Sequence, residues 1–372
     1  MAGTTPMGKS NPLLHAPWVQ RIGKFSGRLG RQISDFLLDR IFPIPSPVAL
    51  PDPEIPRKVL LLRPNFRIGN ALLATPLIDA LKRRFPRAEV GVLTTDATQV
   101  IFERTAADRI HTTTRRSVGR PWLAVALWRE LRREGYEVAL EGGMGSFSGG
   151  LWAWLCGAPI RVGVDGRNRR FLNVPLGELH PKHAYDWSLE VARRIGSDCA
   201  DHPVIELRTE DHAEARDVWR EAGLLREDGQ VRPHIAAFVG GHLDKRWGNA
   251  NWVELIQALA ARDLPVLVLV GPEEIGLARE LARTAGTGAF VVAPGPLGRL
   301  GALLREAELV VSTDSGPMHL AVAAGATLLT LVTAETSRRY TPRGPNDATL
   351  VHPSAATALQ EILTRLPPHL SR

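Results

Sequence analysis

The residues whose types and spacing are best suited to chemistry form the run Asp314-Ser315-Gly316-Pro317-Met318-His319. Gly316 lets backbone come close to a ligand, Pro317 suits a first helical position, and Asp314 or Ser315 can cap free N–H groups. Such a turn is an anion site, because unpaired amides and the positive end of the helix dipole point outward, and His319 falls in its first turn. A second cluster is GGHLDKRW, Gly240 to Trp247. Lys245 offers a mobile cation there and Trp247 a flat apolar surface, unless Lys245 and Arg246 are a solvated face and Trp247 is core. The third cluster is Gly271-Pro272-Glu273-Glu274, where Glu273 either accepts hydrogen bonds from sugar or ribose hydroxyls or caps its helix. Together these would give a diphosphate clamp from Lys245 and the helix N-terminus, with Glu273 available to sugar or ribose hydroxyls. The fourth, Arg63 to Asn70, puts a glycine and a polar residue at the entrance of a helix.

These clusters sit where an α/β alternation would place them. The apolar run Leu309 to Val311 reads as a strand, the helix after it repeats through Met318, Leu320, Val322 and Ala323, Gly325 ends it, and Thr327 to Val332 is the next buried strand. Earlier strands are expected at Val59–Pro64, Glu89–Thr94, Arg109–Thr113, Val138–Glu141 and Arg161–Val164. Helices are expected at Ala71–Phe85, Trp122–Glu134, up to Leu155 and at Ala184–Ile195. From Ser197 to about Arg208 no period is visible, so the interdomain connection is expected there. A helix at Glu210–Ala222 opens a second alternating set, with strands at His234–Val239, Val266–Val270, Ala289–Val292, Leu309–Val311 and Leu328–Val332, and a last helix over 355–366. The fold class is therefore α/β, with two successive doubly wound parallel-sheet domains, 57–205 and 206–372, facing across a cleft. Ligands of such sheets collect at the carboxyl ends of the strands.

Composition narrows the partners. Hydrophobic residues at 44% and charged residues at 23% are those of a globular protein, and a net charge of +7 implies attraction to polyanions. With 6% aromatic residues and no zinc-finger or RNA-recognition signature, nucleic acid is not expected as a partner. Two cysteines make no disulfide framework, so a reducing, cytoplasmic compartment is the default. In the extension 1–56, Trp18, Ile22, Phe25, Leu29, Ile33, Phe36 and Leu37 recur at helical spacing beside Arg21, Lys24, Arg28 and Arg31, ahead of a Pro-rich linker. That helix either packs on the protein's own surface or docks on an anionic membrane. The P-loop and G-x-S-x-G patterns are absent, and GGMGSFSGG lacks the G-x-G-x-x-G spacing, which disfavours a dinucleotide-dependent oxidoreductase. His and Cys do not cluster at metal-ligand spacings and no D-x-D pair occurs, so the site is expected to be free of metal and cofactor.

Three stretches in register, RIGNALLATPLIDALKRRFPRAEVGVLT (Arg67 to Thr94), DKRWGNANWVELIQAL (Asp244 to Leu259) and STDSGPMHLAVAAGATLLTLV (Ser312 to Val332), resemble the family 9 glycosyltransferases, the bacterial lipopolysaccharide heptosyltransferases. The likeness spans about residues 57 to 352. It implies a GT-B fold, metal-independent inverting transfer, an ADP-heptose or related sugar-nucleotide donor held by the C-terminal domain, and a lipid-linked saccharide acceptor at the cytoplasmic membrane face. Carried over by position, Lys245, Glu273, Asp314, Ser315, Gly316 and His319 would bind the donor. The family's first-loop Asp, its general base, corresponds here to Asn70, and an amide cannot take a proton at neutral pH. Glu141, at the end of another strand, is the nearest substitute in kind. Two readings follow: a transferase, with Asn70, Glu141 and Lys245 as its catalytic positions, or a sugar-nucleotide or glycan-binding homologue impaired in catalysis.

Overall fold

The computed structural model describes Arg40 and residues 43–241, 243–271, 274–286 and 288–370, and the larger of two compact units, Pro47–Arg372, contains everything that follows. The basic amphipathic segment expected between Trp18 and Leu37 lies outside the described residues.

Six parallel strands build the first sheet: β1 (Lys58–Leu62), β2 (Glu89–Thr95), β3 (Arg109–Thr113), β4 (Val138–Glu141), β5 (Ile160–Gly163) and β6 (Val174–Pro175), in the order β3-β2-β1-β4-β5-β6. Its helices are α1 (Ile68–Leu72), α2 (Pro76–Arg84), α3 (Gln99–Phe102), α4 (Pro121–Glu134), α5 (Phe147–Leu155) and α6 (Asp186–Arg194). After α7 (Thr209–Glu221) come β7 (Ile235–Phe238), β8 (Val266–Leu269), β9 (Ala289–Val292), β10 (Leu309–Thr313), β11 (Leu328–Val332) and β12 (Ala348–Val351). These pair in the order β12-β11-β10-β7-β8-β9, with α8 (Asn249–Ala260), α9 (Ile275–Ala285), α10 (Leu297–Arg305), α11 (Gly316–Ala324) and α12 (Ala355–Arg365) as the remaining helices. Both sheets thus have the same doubly wound order, reversing direction next to the first strand of each set.

Val59–Leu62 of β1 and all of β7 and β8 are unbroken apolar runs because these central strands are covered on both faces. Along β1, Val59 and Leu61 enter one core cluster while Leu60 and Leu62 enter another, as the two-residue period of a strand requires. Ala236 and Phe238 of β7 join the same cluster as Val59, whereas Ile235 and Ala237 face a third. One continuous core therefore serves the inner faces of both sheets.

Two features depart from the sequence reading. The single helix expected over Ala71–Phe85 is two, α1 and α2, because Pro76 has no N–H for the carbonyl of Leu72. The Thr75 hydroxyl donates to that carbonyl at 2.8 Å instead, and Pro76 opens α2. The edge strands β6 and β12 carry no apolar run: β6 has two residues, and β12 is half-exposed along its length.

A buried ion pair ties the two halves together. Arg104, just after α3, donates to Asp211 of α7 at 2.7 Å, with side-chain exposures of 8% and 7%. Asp211 also accepts from the backbone N–H of Arg208, at 2.9 Å, so one carboxylate completes a helix start and binds a cation from the other half. Removing one member of a buried pair leaves an uncompensated charge, so Asp211→Ala is expected to lower stability by about 3–5 kcal/mol. The exposed pair Asp217–Arg220 is the control. Asp217→Ala is expected to cost less than about 1 kcal/mol. Thermal melting of the two variants beside the parent checks this, and equal losses would refute it.

Candidate functional site

The carboxyl end of β10 is where the second sheet reverses direction, and the turn singled out by sequence sits there. Ser315 occupies the N-cap position of α11 with no side-chain cap; its hydroxyl donates to the Thr313 carbonyl at 3.2 Å. The expected capping by Asp314 or Ser315 is thus not made, and the first amides of α11 stay free of side-chain partners. Gly316 and Pro317 begin the helix, and Gly325 ends it in the left-handed conformation, φ 81°. Asp314 turns away from the helix start to accept from Lys245 Nζ at 2.6 Å. The carboxylate is buried, at 7% exposure, while Lys245 keeps 31%, so the pair holds its cation at the edge of the helix start with the ammonium still reachable. Lys245 also lies 5.7 Å from the centre of the Tyr340 ring, within cation–π range.

His319 is buried, and its ring is held from several sides. Its Nδ1 is 3.0 Å from the Tyr185 hydroxyl, and the Tyr340 ring stands edge-on at 6.5 Å. Burial lowers the His319 pKa to about 4, with Asp314 pulling the other way, so the imidazole is neutral at pH 7. Opposite it stands Gly69, which the structure puts in α1 where the sequence reading has the Arg63–Asn70 loop: a Cβ there would be 2.7 Å from His319 Cδ2. Only glycine permits that approach, and it brings α1 against the start of α11.

Asn70 follows Gly69 and is half-buried; its carbonyl accepts from Arg63 Nε at 3.1 Å. Arg63 in turn faces Glu141, whose side chain is 1% exposed. Burial raises the Glu141 pKa to about 7, against the attraction of Arg63 and backbone N–H donors at Gly143, Gly145 and Ser146. Glu141 Oε1 accepts from the Gly143 amide at 2.7 Å, and Oε2 from Asn168 Nδ2 at 3.0 Å. This accounts for two glycines of GGMGSFSGG: a Cβ at Gly143 or Gly149 would sit 2.3 Å or 2.7 Å from Glu141 Oε1, so backbone closes on the carboxylate there.

The structure therefore gathers Lys245, Asp314, Ser315, Gly316 and His319 at one sheet end, with Asn70 across from them and Glu141 behind Arg63. Glu273 and His242 lie outside the described residues. Trp247 is core: its indole N–H donates to the Pro353 carbonyl at 2.9 Å, and the ring packs edge-on against Trp252 at 4.8 Å. Sequence reasoning missed Arg63, Asn168, Tyr185 and Tyr340. The two tyrosines are distant in sequence, and their only signal is scarcity, since the chain has three tyrosines. It also missed an apolar cavity of about 270 Å³ at the carboxyl ends of β7, β8 and β9, lined by Phe238, Leu269, Val292, Pro296, Leu300 and Pro317 among others. That cavity adjoins the α11 start, so an apolar slot and an anion-binding helix end share one edge.

Residues 124–368 match the family described as glycosyltransferase family 9 (heptosyltransferase), a span that excludes the first loop. A lipopolysaccharide heptosyltransferase 3 of Escherichia coli is 25% identical over 278 residues, covering 71% of this chain and 80% of that protein. Among solved structures, a family 9 glycosyltransferase of Veillonella parvula superposes with a TM-score of 0.68 at 17% identity, covering 86% of this chain and 94% of that one. An E. coli heptosyltransferase with ADP-2-deoxy-2-fluoro heptose gives 0.64 at 19% identity, covering 82% and 98%. The fold is GT-B.

Glu141 generates a test of the site's electrostatics. A carboxyl whose pKa rises from 4.5 to about 7 on folding binds more protons folded than unfolded in that window. Its contribution is present below pH 4.5 and lost as pH rises through 7. Glu141→Gln is therefore expected to gain on the parent in melting temperature as pH goes from about 5 to about 8. A difference independent of pH would contradict the shifted carboxyl.

Proposed function

The chain belongs to glycosyltransferase family 9, and from that membership we propose that it moves a sugar from a sugar nucleotide, ADP-heptose or a close relative, to a lipid-linked saccharide of the lipopolysaccharide core type. The observation that carries this reading is the Lys245–Asp314 pair beside the uncapped start of α11, next to an apolar slot. A nucleoside diphosphate has the matching parts: a flat base for the slot and a dianionic diphosphate for the amides and the ammonium. The half 206–372 acts as the donor domain and 57–205 as the acceptor domain, with 1–56 as an extension. Glu273, by its position in the sequence, accepts from ribose hydroxyls. The E. coli relative's name and the nucleotide sugar in the E. coli heptosyltransferase structure point to the same donor class.

The reaction inverts. An acceptor hydroxyl attacks the anomeric carbon from the side opposite the diphosphate, the bond from that carbon to the diphosphate oxygen breaks with its electron pair going to that oxygen, and the acceptor proton passes to solvent water, since position 70 is an amide. Lys245 and the α11 amides stabilise the charge that builds on the departing diphosphate, which needs no metal. His319, neutral and fixed by Tyr185, orients the donor as a hydrogen-bonding group without adding charge. Glu141 acts through Arg63 and the first loop as a positioning group, since its oxygens are already engaged. The reaction would then run in the cytoplasm, on the inner face of the membrane that carries the acceptor.

Asn70 favours a second reading, a sugar-nucleotide-binding homologue impaired in transfer. Calorimetry and single-turnover assays separate the two. Lys245→Ala is expected to weaken donor binding by about 1–3 kcal/mol, the range for a charge-assisted contact. Unchanged affinity would remove the clamp from the argument. Asn70→Asp is expected to raise transfer about 10²-fold or more with donor affinity unchanged, because a base acts on the acceptor in the transition state. If the parent and Asn70→Asp both bind a sugar nucleotide tightly and neither transfers it, the second reading holds.

A further inference from the structure

Helix α4 carries a face that its own core does not explain. In PWLAVALWRELRRE, Leu127 and Leu131 are buried in the cluster that also takes Leu60 and Leu62 of β1. On the opposite side Trp122 is 62% exposed and Val125 40%, with Trp128 at 36% on the flank. A solvated helix face seldom carries two indoles. Among the described residues the three exposed tryptophans are Trp122, Trp128 and Trp154, the last on α5, which packs on the same core cluster.

Charge on this face has one sign. Arg129, Arg132 and Arg133 are exposed on α4, and Arg115, Arg116 and Arg120 lead into it. No ion pair among the described residues engages any of the six. The two acidic residues of the helix are occupied, Glu130 by His111 and Glu134 by Lys58 at 2.7 Å. Indoles and an aliphatic side chain on a convex helix, ringed by arginines, have the chemistry of the boundary between lipid headgroups and acyl chains. A second copy of the same face would set arginines against arginines, and a nucleic acid would leave Val125 and Ala126 without apolar contact.

We propose that α4 docks the protein on an anionic lipid bilayer, with Trp122, Val125 and Trp128 entering the headgroup boundary and the arginines pairing with lipid phosphates. The placement serves the site. Arg115 lies over the Phe66 ring at 4.4 Å, and Phe66 belongs to the loop leading into α1, which carries Gly69 and Asn70, so a bilayer under α4 lies beside the acceptor side of the cleft. No helix of the described residues is long and apolar enough to cross a membrane, so attachment here is lateral. The purpose of docking rests on the transferase reading, whereas the docking itself needs neither donor nor acceptor.

The test is co-sedimentation of the full chain with phosphatidylglycerol-containing vesicles and with pure phosphatidylcholine vesicles. The parent is expected to partition to the anionic vesicles and to be released by salt. The triple variant Arg129→Gln, Arg132→Gln, Arg133→Gln is expected to lose on the order of 100-fold in partitioning, at roughly a factor of five per arginine. Trp122→Ala with Trp128→Ala is expected to lose about 10-fold or more. Both variants change exposed side chains, so melting temperature and donor affinity should match the parent. Parent-like binding by either variant overturns the proposal, as does a parent that ignores anionic vesicles or forms a tryptophan-dependent dimer in their place. A variant altering Arg21, Lys24 and Arg28 to Gln separates the N-terminal extension: if it alone abolishes binding while both α4 variants bind fully, the extension is the anchor and α4 is not. Donor calorimetry on the same samples shows whether a failure belongs to docking or to the transferase reading.

Discussion

The absence of a side chain at position 69 sets how the site is assembled. Gly69 lets the backbone at the start of α1 come against the His319 ring, closer than any Cβ would permit, and places Asn70 opposite the start of α11. The first loop belongs to one sheet and His319 to the other, so this contact fixes the distance between the two ligand-collecting ends. A methyl group there would force either the imidazole or α1 to move, and the imidazole is already held by Tyr185.

Around that contact a neutral ring and paired charges lie side by side. His319 is neutral through burial, and Asp314 is inside and committed to Lys245. Arg63 is directed toward Glu141 and the Asn70 carbonyl. Lys245, still 31% exposed, and the amides of α11 without side-chain caps are the donors at this turn. A site with a protonated histidine as well would hold a diphosphate more tightly before and after reaction alike, which lowers KM and slows product release without favouring the transition state.

The sequence made some of this visible for local reasons. Leu309 to Val311 and Val59 to Leu62 are apolar runs because parallel strands are buried on both faces, and Asp314 to His319 declares a helix start through glycine and proline. Lys245 was visible as the cation of a recognisable cluster. What stayed hidden depends on contacts that cross the chain. Tyr185 and His319 are 134 residues apart and share no periodic pattern. The apolar slot is made from the ends of three strands, each of which looks only like core. The break at Pro76 was legible in principle, since proline cannot continue α1, but the apolar period runs through it undisturbed. GGMGSFSGG follows a strand without the dinucleotide spacing, and only the buried carboxylate of Glu141 shows why Gly143 and Gly149 lack side chains.

Glu141 and Asn70 bear on the same question from opposite sides. A carboxyl with a pKa near 7 has the acidity of a general base, yet Glu141 is enclosed by glycine backbone and Asn168, and a base must reach the proton it removes. Asn70 stands beside the cleft but is an amide. The group with the acidity lacks the access, and the group with the position lacks the acidity. Arg63 joins the two residues, donating to the Asn70 carbonyl while its charge faces Glu141.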